Sequence, residues 1–131
     1  MKNPFGIGDV KRHLFEVRPE DIAQFESGLV HSVCSTFKLG KEMEWSSRLF
    51  VLEMVEEHEE GVGTSLEIKH SAPAFVGEQV EITATFELLT KNELFCRIEV
   101  SVGNRKIAMG RTGQKILTKE KINQIFSRLE A

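Results

Sequence analysis

The strongest constraint on how this chain folds is a change in the spacing of its apolar residues. Between residues 36 and 55 they recur every three or four positions, which is the spacing of one face of an α-helix. After Gly61 they recur at every second position, as in strands with one buried face. The helical set is Leu39, Met43, Phe50 and Met54, with Leu49 and Leu52 beside them. The pattern predicts one long helix followed by an antiparallel sheet.

Five segments of the chain are predicted to be strands: residues 10–17, 62–68, 80–88, 94–102 and 105–117. We expect an irregular segment between the first strand and the helix, a solvated loop at the acidic residues 56–60, and a meander of the four later strands. Gly110 and Gly113 indicate a bulge or a close backbone approach in the last strand. Thr118 is the expected N-cap of a short closing helix.

The order of these elements predicts the fold class. An antiparallel sheet that curls around one central helix buries the apolar faces of both. We therefore predict an α+β fold of the hotdog type, in which a curved antiparallel sheet wraps around one long central helix. The 131 residues suit one domain, and no repeat or linker divides them, so residues 1–131 are expected to form a single domain.

Composition argues against several classes of function. The net charge is −3 and the basic residues are scattered, so nucleic acid is not an expected partner. No apolar run approaches the roughly 20 residues that cross a bilayer, and the first residues lack a secretory signal, so we expect a cytoplasmic protein with no membrane partner. Cys34 and Cys96 are expected to be reduced and buried. His13, His31 and His58 lack ligand spacing, so no metal is expected.

His70 is the most informative polar position. The alternation through Val62, Thr64 and Ile68 extends to it, which predicts that its titratable ring faces inward. A lone inward histidine is usually structural and is satisfied by a backbone carbonyl. Residues 71–77 break the strand pattern directly after it, however, and such a break can open a cleft beside the ring.

Glu44 lies inside the predicted helix, four residues after Gly40, where the missing side chain can leave room for a ligand. Its carboxylate is therefore a candidate for a pocket. The alternative is a solvated side chain, or an ion pair with Lys41 or Arg48 one turn away. Gly63 is a weaker pointer, because glycine in a strand interior often marks the close approach of a ligand or another backbone.

Thr36 stands at the start of the helix with Ser35 before it, so one of the two hydroxyls is expected to cap the helix. A threonine hydroxyl can instead line a site where the positive helix end stabilises an oxyanion. On a regular helix Thr36 and Glu44 would be about 12 Å apart along the axis. Either the helix begins after Thr36, or a site that uses both combines groups from two subunits.

The joint spacing of these residues carries a family resemblance. Its elements are Thr36, Met43-Glu44-Trp45, Gly63-Thr64, residues 68–73 and Gly77, flanked by residues 15–17, 27–30 and 110–117. This set resembles the fluoroacetyl-CoA thioesterase-like group of hotdog proteins. The resemblance does not extend to fluoroacetyl specificity, since Phe37 and Lys38 follow Thr36 where similar proteins tend to have glycine or proline.

The resemblance implies a catalytic trio of Thr36, Glu44 and His70, with Gly63, Thr64 and Lys115 as substrate-binding residues. It also implies a homodimer, or a larger assembly, with acyl-CoA along the dimer interface. Coenzyme A enters only as part of the substrate, and no cofactor is expected.

The implied reaction is hydrolysis of an acyl-CoA thioester to the free acid and CoA. Glu44 would act as nucleophile or general base, His70 would shuttle a proton or polarise the carbonyl, and Thr36 would orient water or the carboxylate. Two other classes remain open: a non-catalytic acyl-CoA sensor or carrier, and a hotdog enoyl-CoA hydratase or dehydratase.

Overall fold

The computed structural model describes residues 1–25 and 28–130. The elements are β1 (Val10–Glu16), a 3-10 turn (Pro19–Asp21), β2 (Ile22–Phe25), β3 (Gly28–Cys34), α1 (Thr36–Met54), β4 (Glu59–His70), β5 (Gln79–Thr90), β6 (Glu93–Val102), β7 (Arg105–Thr118) and α2 (Lys119–Glu130). Ser27, part of the family resemblance, lies outside the described residues.

Strands β1, β5, β6, β7 and β4, in that order, form one antiparallel sheet, and β2 and β3 pair as a separate ribbon. Helix α1 packs its apolar face against the main sheet, where its residues join the core formed by β5, β6 and β7. The core residues of the helix are Leu39, Met43, Phe50, Val51 and Met54. The predicted α+β class, one long helix against an antiparallel sheet, is confirmed.

Three expectations about connectivity were wrong. Strand β4 does not pair with β5 as a meander requires; it pairs with β7 at the sheet edge. The segment after β1, expected to be irregular, contains the β2–β3 ribbon. The acidic run is only partly a loop, because Glu59 and Glu60 already pair with β7. Periodicity identifies a strand but not its partner, and a short ribbon carries little periodic signal.

A bulge at Thr64 reverses the alternation of β4. Gly63 pairs with Gln114 and Ser65 with Gly113, so Thr64 is an extra residue between them. The predicted inward positions of Val62 and Thr64 were therefore wrong: Val62 lies opposite Lys115, which alternates with the buried Gln114.

Downstream of the bulge the predicted phase of β4 is confirmed. Leu66, Ile68 and His70 pair with Thr112, Gly110 and Ala108 on β7, and these partners face the helix. Before the bulge, the residues of β4 that face the helix are glycines. After the bulge, the residues that face the helix carry side chains. His70 ends the strand on the helix side of the sheet.

Gly110 lies at a close backbone approach, as the sequence indicated, whereas Gly113 is crowded by side chains. A Cβ on Gly110 would stand 1.9 Å from the carbonyl oxygen of Glu67 and 2.8 Å from Cε of Met43. A Cβ on Gly113 would stand 2.5 Å from Oγ of Ser65. At these two positions β7 can lie this close to its neighbours only because it lacks a side chain.

Both cysteines are free in the structure, and their expected burial is confirmed. Burial raises the pKa of the Cys34 thiol to about 11 and that of Cys96 to about 12. Both therefore remain protonated at neutral pH. Among the helices in the described part of the chain, none is long and apolar enough to cross a membrane.

Gly110→Ala should lower the free energy of unfolding by about 1–3 kcal/mol, because its Cβ would collide with the backbone of Glu67, which cannot move aside as a side chain can. Urea denaturation followed by circular dichroism measures this. The matched control is Gly6→Ala, where nothing lies within 4 Å of the added Cβ. Equal stability of the two variants would show that the β4–β7 pairing is looser than described.

Candidate active site

The N-terminus of α1 separates the roles of two neighbouring hydroxyls. Ser35 is the N-cap: its Oγ accepts a hydrogen bond of 3.0 Å from the backbone N–H of Lys38. The hydroxyl of Thr36, the first helical residue, is consequently free of the capping role. It forms a 2.9 Å hydrogen bond with Nδ1 of His70. The open question of which hydroxyl caps the helix is thus answered, and Thr36 faces the candidate histidine.

His70 is held at the end of β4 by pairing with Ala108, and Ser71 and Ala72 both donate backbone hydrogen bonds to the carbonyl of Ile107. Its ring partner within the described residues is the Thr36 side chain rather than a backbone carbonyl. That bond fixes the ring orientation and leaves Nε2 for another group. The structural interpretation expected a backbone carbonyl as the ring's partner, whereas the observed partner is a side-chain hydroxyl.

Glu44 has an exposed side chain that forms no ion pair with either neighbouring cation in the described chain. Arg48 instead donates a hydrogen bond of 3.2 Å to the carbonyl of Gly61. The carboxylate lies against the bare backbone of Gly63, where an added Cβ would stand 2.6 Å from Oε1 of Glu44. Gly63 therefore provides the space that the carboxylate occupies.

A hollow of about 390 Å³ runs between α1 and β4 from Thr36 to Glu44. Its walls are largely apolar, with Gly40 as its floor on the helix, where a Cβ would stand 3.1 Å from Cδ2 of Leu66. A smaller hollow of about 240 Å³ continues past Glu44 along residues 63–66. A larger hollow of about 490 Å³ shares Lys41 and Glu44 with the first one, and one of about 680 Å³ lies between β1 and the first turns of α1; Thr36 lines neither of these two.

The geometry of α1 determines which of the three candidate residues can contact one another within one subunit. Helix α1 begins at Thr36, so Thr36 and Glu44 belong to one helix and are about 12 Å apart along its axis. The alternative in which the helix begins after Thr36 is thereby excluded. The structure brings Thr36 and His70 into direct contact and leaves Glu44 at the other end of the hollow.

Two further candidates lie away from this hollow. The Thr64 hydroxyl donates a hydrogen bond of 2.6 Å to Glu93, and Lys115 pairs with Glu93 and Val62. Because Lys115 alternates with the buried Gln114, its side chain lies on the sheet face opposite the helix. Within one subunit Lys115 and Glu44 are therefore on different faces of the sheet.

Sequence reasoning missed two buried polar residues behind Glu44. The Nε2 group of Gln114 donates to the carbonyl of Glu44 at 3.1 Å and to Oγ of Ser47 at 2.7 Å. Ser47 in turn donates to the same carbonyl at 3.0 Å. A signal was available, because Gln114 occupies an inward position in the alternation of β7, where an unpaired amide would be costly.

Glu56, His58 and Glu59 form a cluster whose ligand atoms lie within 4.8 Å of one another. The ammonium group of Met1 lies 3.1 Å from Glu56 and 2.9 Å from Glu59. The ammonium group thus already pairs with both carboxylates of the cluster, and we assign no metal to it.

Most of the chain matches the model of a known protein family. The model of the fluoroacetyl-CoA-specific thioesterase family matches residues 17–120. The chain belongs to this family. The resemblance drawn from the sequence is thereby confirmed.

Solved structures agree with the family assignment. A Thermus thermophilus hypothetical protein, described as a thioesterase superfamily member, is 36% identical with a TM-score of 0.91, over 97% of this chain and 94% of its own. The fluoroacetyl-CoA thioesterase FlK is 22% identical with a TM-score of 0.87, over 95% and 96% of the two chains. A variant of FlK in complex with acetyl-CoA is 20% identical with a TM-score of 0.86, over 97% and 100%. The hotdog fold is thus confirmed. Comparison with curated proteins gives no match.

This member of the fluoroacetyl-CoA-specific thioesterase family carries a charged cluster on α1 beside the hollow. Glu42 accepts hydrogen bonds of 2.7 Å from Nζ of Lys38 and from Nε2 of His13. Burial alone would raise the pKa of Glu42, but these two partners together outweigh it and hold the pKa below its ordinary value. The cluster ties β1 to the first turns of α1.

Glu42→Gln should lower the free energy of unfolding at pH 7 by about 1–2 kcal/mol, since it removes a carboxylate that accepts two charge-assisted bonds. A carboxyl with a lowered folded pKa stabilises the fold above its unfolded pKa. That contribution is lost as the pH falls through the folded pKa, which lies below the unfolded one. The stability gap between wild type and variant should therefore close in this acid range, as measured by denaturation at several pH values. Glu57→Gln, in the exposed turn, is the control; a gap that persists at acid pH would contradict the explanation.

Proposed function

We propose that the protein is an acyl-CoA thioesterase that hydrolyses a thioester to the free acid and CoA. The observation that carries the proposal is the hydrogen bond between Thr36 and His70 at one end of a hollow with Glu44 at its other end. Membership of a thioesterase family supports the reaction class. The complex of FlK with acetyl-CoA supports an acyl-CoA as the kind of substrate.

The three side chains match what thioester hydrolysis requires. Water must lose a proton as its oxygen adds to the acyl carbon, the carbonyl oxygen must be stabilised as it becomes negative, and the departing sulfur needs a proton. Glu44 is assigned to the oxygen attack, either by removing the proton from water or by attacking the acyl carbon itself. In the first route the carbon–sulfur bond of the water adduct breaks and acid and CoA thiol are released. In the second route CoA thiol leaves first, and water then hydrolyses the anhydride formed with Glu44 to release the acid and restore the carboxylate.

His70 and Thr36 are assigned to the carbonyl end of the reaction. The ring is oriented by Thr36 through Nδ1, so Nε2 can donate to the carbonyl oxygen or pass a proton to the sulfur. Thr36 stands at the positive end of α1, which favours a developing negative charge. Such an arrangement stabilises the transition state more than the substrate.

A homodimer is proposed for the working enzyme. Strand β4 is an edge strand whose residues 63–67 are exposed, and an unpaired edge is a template for another strand. Leu66 on this edge is 43% exposed and Phe37 at the mouth of the hollow is 85% exposed. A second subunit along β4 would cover both and enclose the hollow. It would also bring the polar groups of the second subunit near those of the first. A site could then combine groups from both subunits and would not depend on Thr36 and Glu44 of one helix, which are about 12 Å apart along its axis.

The principal test is thiol release from a panel of short, branched, aromatic and long acyl-CoAs. Glu44→Gln and His70→Ala should each reduce kcat by at least about 100-fold, because each removes a group that acts on the reacting atoms. Glu57→Gln is the matched control for Glu44→Gln, since both replace an exposed carboxylate by an amide.

The alternatives give different results in the same assay. Binding of acyl-CoA without thiol release from any substrate would favour a sensor or carrier. A change in enoyl-CoA absorbance without thiol release would favour a hydratase. Release that survives in Glu44→Gln would remove Glu44 from the mechanism.

The dimer is tested by light scattering coupled to size-exclusion chromatography. A chain of 14.8 kDa should elute with a mass near twice that value. Leu66→Lys, which places a charge on the exposed edge, should shift the mass toward the monomer. A monomeric wild-type protein with full thioesterase activity would contradict the proposed assembly.

A further inference from the structure

Behind Glu44, on the side of α1 that faces the sheet, three hydrogen bonds form a closed ring. Gln114 donates to the Glu44 carbonyl at 3.1 Å and to Ser47 at 2.7 Å, and Ser47 donates to the same carbonyl at 3.0 Å. Gln114 and Ser47 are each only 1% exposed. Hydrogen bonds in such a dry environment are strong, and a partner that is lost leaves a buried polar group unsatisfied.

The position of Gln114 relates this ring to the carboxylate of Glu44. Gln114 is the direct cross-strand partner of Gly63. Gly63 borders the carboxylate, because a Cβ there would stand 2.6 Å from Oε1. The two residues of this cross-strand pair therefore both contact Glu44: Gln114 holds its backbone, and Gly63 leaves space for its side chain.

The next helix-facing residue of β7 shows that a polar residue at this depth need not be bonded. Thr112 is also 1% exposed, yet its hydroxyl has no hydrogen-bond partner within the described residues. Thr112 and Gln114 thus differ in one respect that matters here, namely contact with the turn of α1 that carries Glu44.

We infer that Gln114 is a positioning residue, which fixes the α1 turn at Glu44 to β7 so that the carboxylate is held over Gly63 at the end of the hollow. The inference rests on the proposed catalytic role of Glu44. It assigns to Gln114 no contact with substrate. A displacement of about 1 Å in a catalytic group can reduce turnover by up to about 100-fold, so an amide that acts only on the backbone can still control the rate.

The test compares Gln114→Met with Thr112→Val. Methionine keeps the length of the side chain but removes both N–H donors, and valine keeps the shape of threonine but removes a hydroxyl without a partner. Gln114→Met should lower kcat for thioester hydrolysis by about tenfold or more with KM within about twofold. Thr112→Val should leave both constants unchanged.

A third variant, Gln114→Glu, separates positioning from packing. A protonated carboxyl offers one O–H donor to the Glu44 carbonyl, whereas the ionised form can only accept. The activity of this variant relative to wild type should therefore rise as the pH falls, with the melting temperature measured at each pH. A ratio that follows the melting temperature alone would reduce Gln114 to a structural role.

Failure of the inference can be distinguished from failure of the proposed function. The side-chain carboxyl of Glu44 gives a ¹³C resonance that is assigned by its loss in Glu44→Gln. Its shift should change in Gln114→Met and not in Thr112→Val, whether or not the wild type hydrolyses any thioester. An unchanged resonance together with unchanged kcat in Gln114→Met would overturn the inference, while a wild type without thioesterase activity would overturn only the proposed reaction.

Discussion

The apolar face of α1 must be removed from water, and the sheet that covers it determines where every candidate residue lies. Leu39, Met43 and Phe50 are fully buried in this contact, which fixes the rotation of the helix about its own axis. That rotation brings Thr36 to the end of β4 and Glu44 to Gly63. The polar groups are thus positioned by the burial of their apolar neighbours, and the site inherits the rigidity of the core.

Much of this arrangement follows from residue patterns. The helix and the four later strands were predictable because apolar residues at spacings of 3.6 and 2.0 can be buried in only one way each. The inward direction of His70 was predictable for the same reason, since the bulge lies upstream of it. The family resemblance came from the joint spacing of short motifs around Thr36, Glu44 and His70, none of which would have carried it alone.

Other features depend on contacts that no local pattern encodes. Whether Ser35 or Thr36 caps the helix is decided by the backbone conformation at Ser35, which is extended, and either hydroxyl is chemically suited. The bulge at Thr64 is fixed by the register with β7, in which Gly113 leaves space on the partner strand. The pairing of β4 with β7 in preference to β5 is a long-range choice. The roles of Gln114 and Ser47 emerge only when two elements separated by 67 residues meet.

The two walls of the hollow differ in how they would respond to redesign. On the strand side, Gly63 has the Glu44 carboxylate where its own Cβ would be, so every other residue type there competes with a functional group for the same volume. On the helix side, Phe37 is 85% exposed and contributes little to the core of this subunit. Substitutions that reshape the hollow are therefore best sought at Phe37, where variety costs the fold of this subunit little, and the strand wall at Gly63 is best left unchanged.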